Sequence, residues 1–215
     1  MKTDVQLLQD VQDELGWEPV LHQSNIEVTV QNGTVTLYGQ VNSLAGKWMA
    51  EKAAKRVQGV KAVTEHLRVE PPGEQPADRD ITWAANFLFH WHCQIPQRKI
   101  RVRVSNGWVT LEGTVDEYFQ KYAAEKALSF LLGVQGVDNR IEVDTHQTQP
   151  PRTAILEALQ RNAVLEAQRV NVEVEGGEVI LKGWVNSWME HRAIEKIVWA
   201  TPGVTSLKDD LVVSN

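Results

Sequence analysis

The sequence lacks the features that mark secreted and membrane-spanning proteins. Cys93 is its single cysteine, which excludes an intramolecular disulfide. No run of about 18 apolar residues occurs, so the sequence predicts no membrane-spanning helix. Residues 1–10 have neither an apolar core nor a cleavage site of small residues, unlike a secretory signal peptide. If Met1 is the native start, we therefore expect a cytoplasmic protein.

The sequence also lacks a strong charge of either sign in any of its parts. Its 22 Lys and Arg residues against 28 Asp and Glu residues give a formal net charge of −6. The acidic excess is spread almost evenly over residues 1–70, 78–144 and 150–215. A protein that binds nucleic-acid duplexes usually has a large basic surface, so we expect no nucleic-acid partner.

What the sequence does contain is a ten-residue pattern that occurs three times. It reads NGTVTLYGQV at residues 32–41, NGWVTLEGTV at residues 106–115 and GGEVILKGWV at residues 176–185. The copies are spaced by 74 and 70 residues, and both glycines of the pattern keep these spacings. A period near 70 predicts three small domains. We place the domains at residues 1–70, 78–144 and 152–215, with linkers at residues 71–77 and 145–151.

Each copy of the pattern lies within the same predicted order of elements, α-β-β-α-β. In the first copy an amphipathic helix comes first, two alternating strands meet at Asn32-Gly33, and an alanine-rich helix and a final strand follow. Asn-Gly predicts a type I′ turn, because both central residues of that turn have positive φ. The fold class is therefore α+β, with three tandem domains that are each a small mixed sheet with two helices on one face. The strand order stays open, because the last strand could flank either hairpin strand.

Three glycines in every copy are predicted to be structural. The first lies in the hairpin turn, the second inside a strand and the third at the end of the second helix. They are Gly33, Gly39 and Gly59; Gly107, Gly113 and Gly133; and Gly177, Gly183 and Gly203. A glycine inside a strand often marks the close approach of another part of the chain, and we predict that Gly39 makes room for the second helix.

The repeated residues resemble the BON domain, named for bacterial osmotically induced and nodulation proteins. The resemblance rests on Gly-x-Val-x-Leu-x-Gly-x-Val, an alanine-rich helix, a Gly-Val pair and a short strand, and it covers residues 33–69, 107–143 and 177–213. It implies a non-enzymatic module associated with envelope stress that attaches to phospholipid surfaces or binds other ligands. For some cytoplasmic members it implies cation binding. Most members carry a secretion or lipoprotein signal, which this sequence does not show.

The second domain carries the densest cluster of positive charge. If the apolar residues of its first strand face the core, Lys99, Arg101 and Arg103 project together from the opposite face. Trp108 on the partner strand should share that face. Cations beside a tryptophan suit an anionic ligand or a phospholipid head group, so we predict a ligand-binding site here. The alternative is a solvated face, or cations that protect a strand edge from aggregation.

The third domain offers a surface that could pair with these cations. Glu173 and Glu175 on one strand and Trp184 on the next are predicted to share its outer face. We hypothesise an interface at this face, either between the second and third domains or between two chains, and the oligomeric state stays open. Among the eight tryptophans, Trp17 and Trp91 occupy matching positions at helix ends and are predicted to lie in or near the core.

No set of residues has the spacing that catalysis or metal binding requires. His90, His92 and Cys93 are the most metal-like cluster, but three donors in one short segment do not complete a coordination shell. There is no Gly-x-Ser-x-Gly motif, and no serine, histidine and carboxylate recur in all three copies. We therefore expect no enzyme activity, no cofactor and no metal.

The sequence leaves three functions open. The first is a stress-associated binding module that recognises a phospholipid membrane or an anionic ligand through the basic and aromatic face of the second domain. The second is a cytoplasmic sensor of a monovalent cation such as K⁺, held by backbone carbonyls and carboxylates between domains. The third is a scaffold or chaperone-like protein that binds a protein partner through aromatic patches.

Overall fold

The computed structural model describes residues 2–144, 152–161 and 169–214. Repeat 1 contains α1 (Asp4–Gly16), β1 (Asn25–Gln31), β2 (Thr34–Val41), α2 (Leu44–Arg56) and β3 (Ala62–Val69). Repeat 2 contains α3 (Asp78–Trp91), β4 (Ile100–Ser105), β5 (Trp108–Val115), α4 (Tyr118–Leu128) and β6 (Gly136–Val143). Repeat 3 contains α5 (Arg152–Arg161), β7 (Val170–Glu175), β8 (Glu178–Val185), α6 (Trp188–Trp199) and β9 (Ser206–Val213).

The predicted order of elements is confirmed in every repeat. Two short 3-10 helices, Pro19–Leu21 and Gln97–Lys99, lie in the connections before β1 and β4. Across the described ranges, every helix is too short or too polar to cross a bilayer. The predicted linker at residues 145–151 lies outside the described residues.

Each repeat forms its own three-stranded sheet, with the second hairpin strand in the middle. The strand orders are β1-β2-β3, β4-β5-β6 and β7-β8-β9. In repeats 1 and 3 the hairpin pair is antiparallel and the last strand pairs in parallel with the middle strand. The structure therefore settles the strand order that the sequence left open. The second helix provides the crossover connection that two parallel strands need.

The turns of the first two hairpins have the geometry that Asn-Gly predicts. Asn32 and Gly33 have φ values of 52° and 79°, and Asn106 and Gly107 have values of 50° and 75°. Positive φ at both central residues is the requirement of a type I′ turn. The prediction from the dipeptide is therefore confirmed.

A carboxylate at the start of the first helix ties that helix to the hairpin turn. In repeat 1 the side chain of Asp4 accepts hydrogen bonds from the backbone N–H groups of Asn32 at 2.7 Å and Gly33 at 3.0 Å. Asp78 makes the same two bonds to the hairpin of repeat 2, at 2.8 and 2.9 Å. These bonds satisfy turn N–H groups that the ladder leaves open, and they link elements 28 residues apart.

The cores of repeats 1 and 3 are built from the same positions. In repeat 1 the apolar stripe of α1 packs with β2 and with the alanines of α2. The fully buried members include Val11, Leu37 and Ala53. Repeat 3 places Ile155 of α5 and Ile194 of α6 at the corresponding places around β8. Each core is small, so the fit of every element matters for stability.

The chain packs as two compact units, and repeat 2 contributes to both. The first unit comprises residues 1–112 and 123–140, and the second comprises residues 113–122 and 141–215. Inside the first unit, the Ala45 backbone N–H donates to the Ser129 carbonyl at 3.0 Å, which joins repeats 1 and 2. Inside the second, the ring of Tyr118 stacks on that of Trp199. Repeat 2 therefore contacts repeat 1 within the first unit and repeat 3 within the second.

Gly39 is required by the neighbouring strand and not by the helix that we predicted. A Cβ added at Gly39 would lie 2.0 Å from the carbonyl oxygen of Asn25 on β1, and the residue has φ of +119°. Gly183 repeats the arrangement, with the Arg169 carbonyl oxygen at 2.2 Å and φ of +129°. The two hairpin strands approach so closely at this point that no side chain fits. The expectation that Gly39 makes room for α2 was wrong.

We predict that Gly39→Ala destabilises repeat 1 by about 3 kcal/mol, because strain at positive φ and the clash with Asn25 add. Urea denaturation, combined with hydrogen exchange of the β1 and β2 amides, measures the loss. Gly16→Ala is the matched control, since nothing lies within 4 Å of its added Cβ. A Gly39→Ala protein within about 0.5 kcal/mol of wild type would contradict this account.

Candidate functional site

The outer face of the sheet in repeat 2 carries two of the predicted cations. Along β4, Arg101 and Arg103 are exposed, whereas Ile100 is buried. Lys99 is also exposed, but it ends the short 3-10 helix Gln97–Lys99 instead of lying on the strand. Two of the three predicted cations, Arg101 and Arg103, therefore lie on β4, and Lys99 lies just before the strand begins.

Acidic side chains reduce the positive charge of this face. Arg103 lies 3.4 Å from the carboxylate of Glu112 on β5. On β6, Arg140 lies 2.7 Å from the carboxylate of Asp138, whose hydrogen bond and charge raise the pKa of that guanidinium. The face is consequently a network of mixed charge and not a continuous cationic row.

Trp108 lies on this part of repeat 2 with one side of its ring covered. The residue is exposed overall. Its ring lies against Gly136 at the start of β6, where an added Cβ would come within 2.4 Å of a ring carbon. The missing side chain at Gly136 therefore provides the space in which the indole rests, and the predicted ligand-binding role of Trp108 stays a prediction.

Helix α3 presents a second surface, a line of exposed aromatic rings. Trp83, Phe87 and Trp91 are 69%, 53% and 72% exposed. The Trp83 and Phe87 rings stack with centroids 5.3 Å apart, and the Phe87 and Trp91 centroids are 6.3 Å apart. We call these three residues the aromatic stripe. A contiguous exposed apolar surface of this kind usually marks an interaction site.

The aromatic stripe corrects the prediction for two tryptophans. Trp91 and Trp17, which is 81% exposed, both lie on the surface and not in or near the core. In α3 the buried residues are Ile81, Ala85 and Phe89. They are spaced by four, as are the members of the stripe, so the helix has two apolar faces. The periodicity finds both faces but does not tell which one the sheet covers.

The short 3-10 helix that precedes β4 is bonded to the C-terminal half of α3. The Gln97 side chain bonds to a ring nitrogen of His90 at 3.1 Å and donates to the Asn86 carbonyl at 3.3 Å. These bonds hold the short 3-10 helix against α3, and that helix carries the exposed Arg98 and Lys99. Lys99, which the sequence assigned to the sheet face, therefore lies close to the aromatic helix.

The outer face of the sheet in repeat 3 pairs its charges within the repeat. Glu173 lies 2.8 Å from the ammonium of Lys182 and raises the pKa of that lysine. The guanidinium of Arg169 lies over the Trp184 ring, 4.1 Å from its centroid. Glu175 is exposed at the end of β7. The interface proposed for Glu173, Glu175 and Trp184 stays a prediction.

A histidine held between two carboxylates lies on the other side of repeat 3. His191 and Glu195 are one turn apart on α6, and Asp209 lies on β9. The Nε2 of His191 is 3.0 Å from Asp209, and its Nδ1 is 3.6 Å from Glu195. The imidazole is only 12% exposed. We call these three residues the His191 cluster.

The charges around His191 determine its protonation. Burial on its own would lower the pKa of His191, but the hydrogen bond to Asp209 and the charges of Asp209 and Glu195 outweigh it and raise the pKa to about 9. Burial would likewise raise the pKa of Asp209, yet the imidazolium and the Leu211 N–H lower it. At neutral pH the cluster is thus an imidazolium between carboxylates.

The His191 cluster is the set of metal-type ligands that comes together within the described residues. His90, His92 and Cys93 do not converge there, although the sequence made them the most metal-like residues. Sequence inspection missed the His191 cluster because its carboxylate on β9 is far from α6 along the chain. Comparing equivalent positions of the three repeats would have found it.

The fold defines a tandem array of small α+β domains, and its exposed aromatic and charged residues are typical of binding modules. The chain belongs to the BON domain family. The family model matches residues 3–71, 77–145 and 151–215. The resemblance in the repeated residues and the α+β fold class are thereby confirmed.

The chain is also similar to individual proteins. It is 31% identical over 127 residues to the osmotically-inducible protein Y of Escherichia coli strain K12, which covers 57% of this chain and 63% of that protein. It therefore spans less than two thirds of that relative. Among solved structures it is similar to CdsD, a structural protein of the type III secretion system of Chlamydia trachomatis, with 17% identity, coverage of 97% and 92%, and a TM-score of 0.26. The PrgH periplasmic domain gives 10% identity, coverage of 95% and 100%, and a TM-score of 0.24. TM-scores this low do not establish a shared fold over the whole chain.

We predict that repeat 3 loses stability as the pH rises from 6.5 to about 9, the ordinary and the folded-state pKa of His191. Over this range the folded protein holds a proton that the unfolded chain has released, so alkali favours unfolding. The measurement is urea denaturation against pH in buffer with a chelator. His191→Lys is the control, because lysine stays charged throughout. A wild-type curve parallel to that of His191→Lys would contradict the assignment.

Proposed function

We propose that this protein is a stress-associated binding module that attaches to anionic phospholipid membranes and catalyses no reaction. The aromatic stripe of α3 is the observation that carries the proposal. Membership of the BON family supports it, and the similarity to a protein named as osmotically inducible supports the association with stress.

The aromatic stripe has the character of an interfacial membrane contact. Tryptophan is enriched at the boundary between head groups and acyl chains, because its ring is apolar and its N–H is polar. An amphipathic helix lying in the plane of the interface buries its apolar face there. With 14 residues, α3 is long enough to carry three rings on one face.

Positive charge on the 3-10 helix that is bonded to α3 supports an anionic surface as the partner. Arg98 and Lys99 lie on the 3-10 helix that Gln97 ties to α3. Each basic residue close to an anionic membrane contributes about 1 kcal/mol. The predicted ligand-binding residues of the sheet face, Arg101, Arg103 and Trp108, form a second surface whose contribution is tested separately.

We predict that Trp83→Ala/Phe87→Ala/Trp91→Ala lowers binding to vesicles of phosphatidylglycerol and phosphatidylcholine at least tenfold. Three lost ring contacts remove well over the ~1.4 kcal/mol that a tenfold change represents. Co-sedimentation measures the partition coefficient. Trp17→Ala is the matched control, since Trp17 occupies the position in repeat 1 that Trp91 occupies in repeat 2 and is equally exposed.

A further variant and other vesicle compositions distinguish the alternative binding surfaces and partners. Arg101→Gln/Arg103→Gln tests the sheet face, and loss of binding in that variant alone would transfer the membrane contact from the stripe to the sheet. Pure phosphatidylcholine vesicles and added salt test the charge requirement. Absence of sedimentation with every vesicle would refute the proposal, and a selective rise in melting temperature with K⁺ would then favour the cation sensor.

A further inference from the structure

The His191 cluster occupies a place that holds an ion pair in repeat 1. His191 is equivalent to Lys47, and Asp209 is equivalent to Glu65. Lys47 lies 2.9 Å from Glu65. The geometry is retained as well, because the backbone N–H two residues further along the strand donates to the carboxylate in both repeats, at 3.3 Å in repeat 1 and 3.0 Å in repeat 3. In both repeats a cationic side chain of the second helix thus pairs with a carboxylate of the last strand.

Repeat 3 has one cation fewer at this place than repeat 1. In repeat 1 the second carboxylate, Glu51, has its own partner, Lys55, at 2.6 Å. The residue equivalent to Lys55 in repeat 3 is Trp199. Glu195 and Asp209 consequently share the single imidazole of His191. One singly charged imidazolium therefore faces two carboxylates, of which Glu195 is 38% and Asp209 20% exposed.

Repeat 2 resolves the same problem by removing a carboxylate. Asn139 stands at the position of Asp209, and its amide donates to Glu125 at 3.0 Å. Repeats 1 and 2 thus balance their charges by two different routes, and repeat 3 uses neither. What repeat 3 has instead is a ligand type that the other two repeats lack at this position, an imidazole next to two carboxylates.

We infer that His191, Glu195 and Asp209 form a binding site for a divalent transition-metal ion such as Zn²⁺. One ligand atom from each residue lies within 4.8 Å of the other two. An imidazole with carboxylates suits borderline metals such as Zn²⁺. A doubly charged ion with a neutral imidazole compensates both carboxylates, which the imidazolium alone does not.

One ion can bind only one ring nitrogen of His191, so we place it on the Nε2 side with Asp209, and Glu195, which faces Nδ1, has to turn to reach it. The 3.0 Å between His191 and Asp209 is close to the separation of two ligands that share a metal at bonds of about 2.0–2.2 Å. Asp209 is held in place by the Leu211 N–H, which supplies the kind of outer hydrogen bond that orients a metal ligand. Glu195 is the most exposed member, so its side chain is free to turn toward the ion, with water completing the coordination shell.

Calorimetric titration of the full chain with ZnCl₂, at constant KCl and after chelator removal, tests the inference. We expect one high-affinity Zn²⁺ per chain and a rise in the melting temperature of repeat 3. His191→Lys restores the residue of repeat 1, keeps the ion pair and removes the ligand. Asp209→Asn restores the residue of repeat 2. Each variant should weaken Zn²⁺ binding at least tenfold.

A third variant, His90→Gln/His92→Gln/Cys93→Ser, removes the metal-like cluster that the sequence shows in repeat 2 and should bind Zn²⁺ like wild type. Circular dichroism shows that each variant is folded before titration. The inference is overturned if wild type binds no Zn²⁺ at millimolar concentration, or if His191→Lys and Asp209→Asn both retain wild-type affinity. Loss of binding in the third variant alone would also overturn it.

Discussion

The close approach of the two hairpin strands, at Gly39 in repeat 1 and at Gly183 in repeat 3, is the constraint on which these repeats depend. A carbonyl oxygen lies where a side chain would begin, so the hairpin is pinned at this point. With the hairpin fixed, β2 becomes the middle strand and presents Val35 and Leu37 to the helices. The opposite face is left for exposed residues. The same constraint at Gly183 places the exposed residues of repeat 3 at equivalent positions.

Because the three repeats share one scaffold, their differences indicate where they have specialised. The aromatic stripe occurs in α3, whereas the described faces of α1 and α5 are largely polar outside their buried stripes. The position of His191 is a lysine in the other two repeats. Neither difference alters the core. Repeat 2 therefore offers a line of exposed aromatic rings and repeat 3 a set of convergent ligands, while repeat 1 has ion pairs at the place of the His191 cluster.

The sequence predicts the scaffold well, because its signals are local. The Asn-Gly turns, the short glycine pattern within each copy and the alternation of the strands each depend on a few neighbouring residues. The missed features depend on contacts between distant segments. Asp4 reaches a turn 28 residues away, and His191 meets a carboxylate on another element. Which of the two apolar faces of α3 is buried depends on the sheet, and periodicity carries no information about that.

An acidic protein meets repulsion from an anionic membrane, so the local arrangement of charge decides whether contact occurs. Charges more than about 10 Å away are largely screened at physiological ionic strength. Acidic residues beyond this distance then contribute little, and the charges near α3, which include Arg98, Lys99 and the exposed Asp80, set the field at the contact. Two cations alone bind weakly. Burial of the three exposed rings must therefore supply most of the binding free energy, and added salt should weaken attachment without abolishing it.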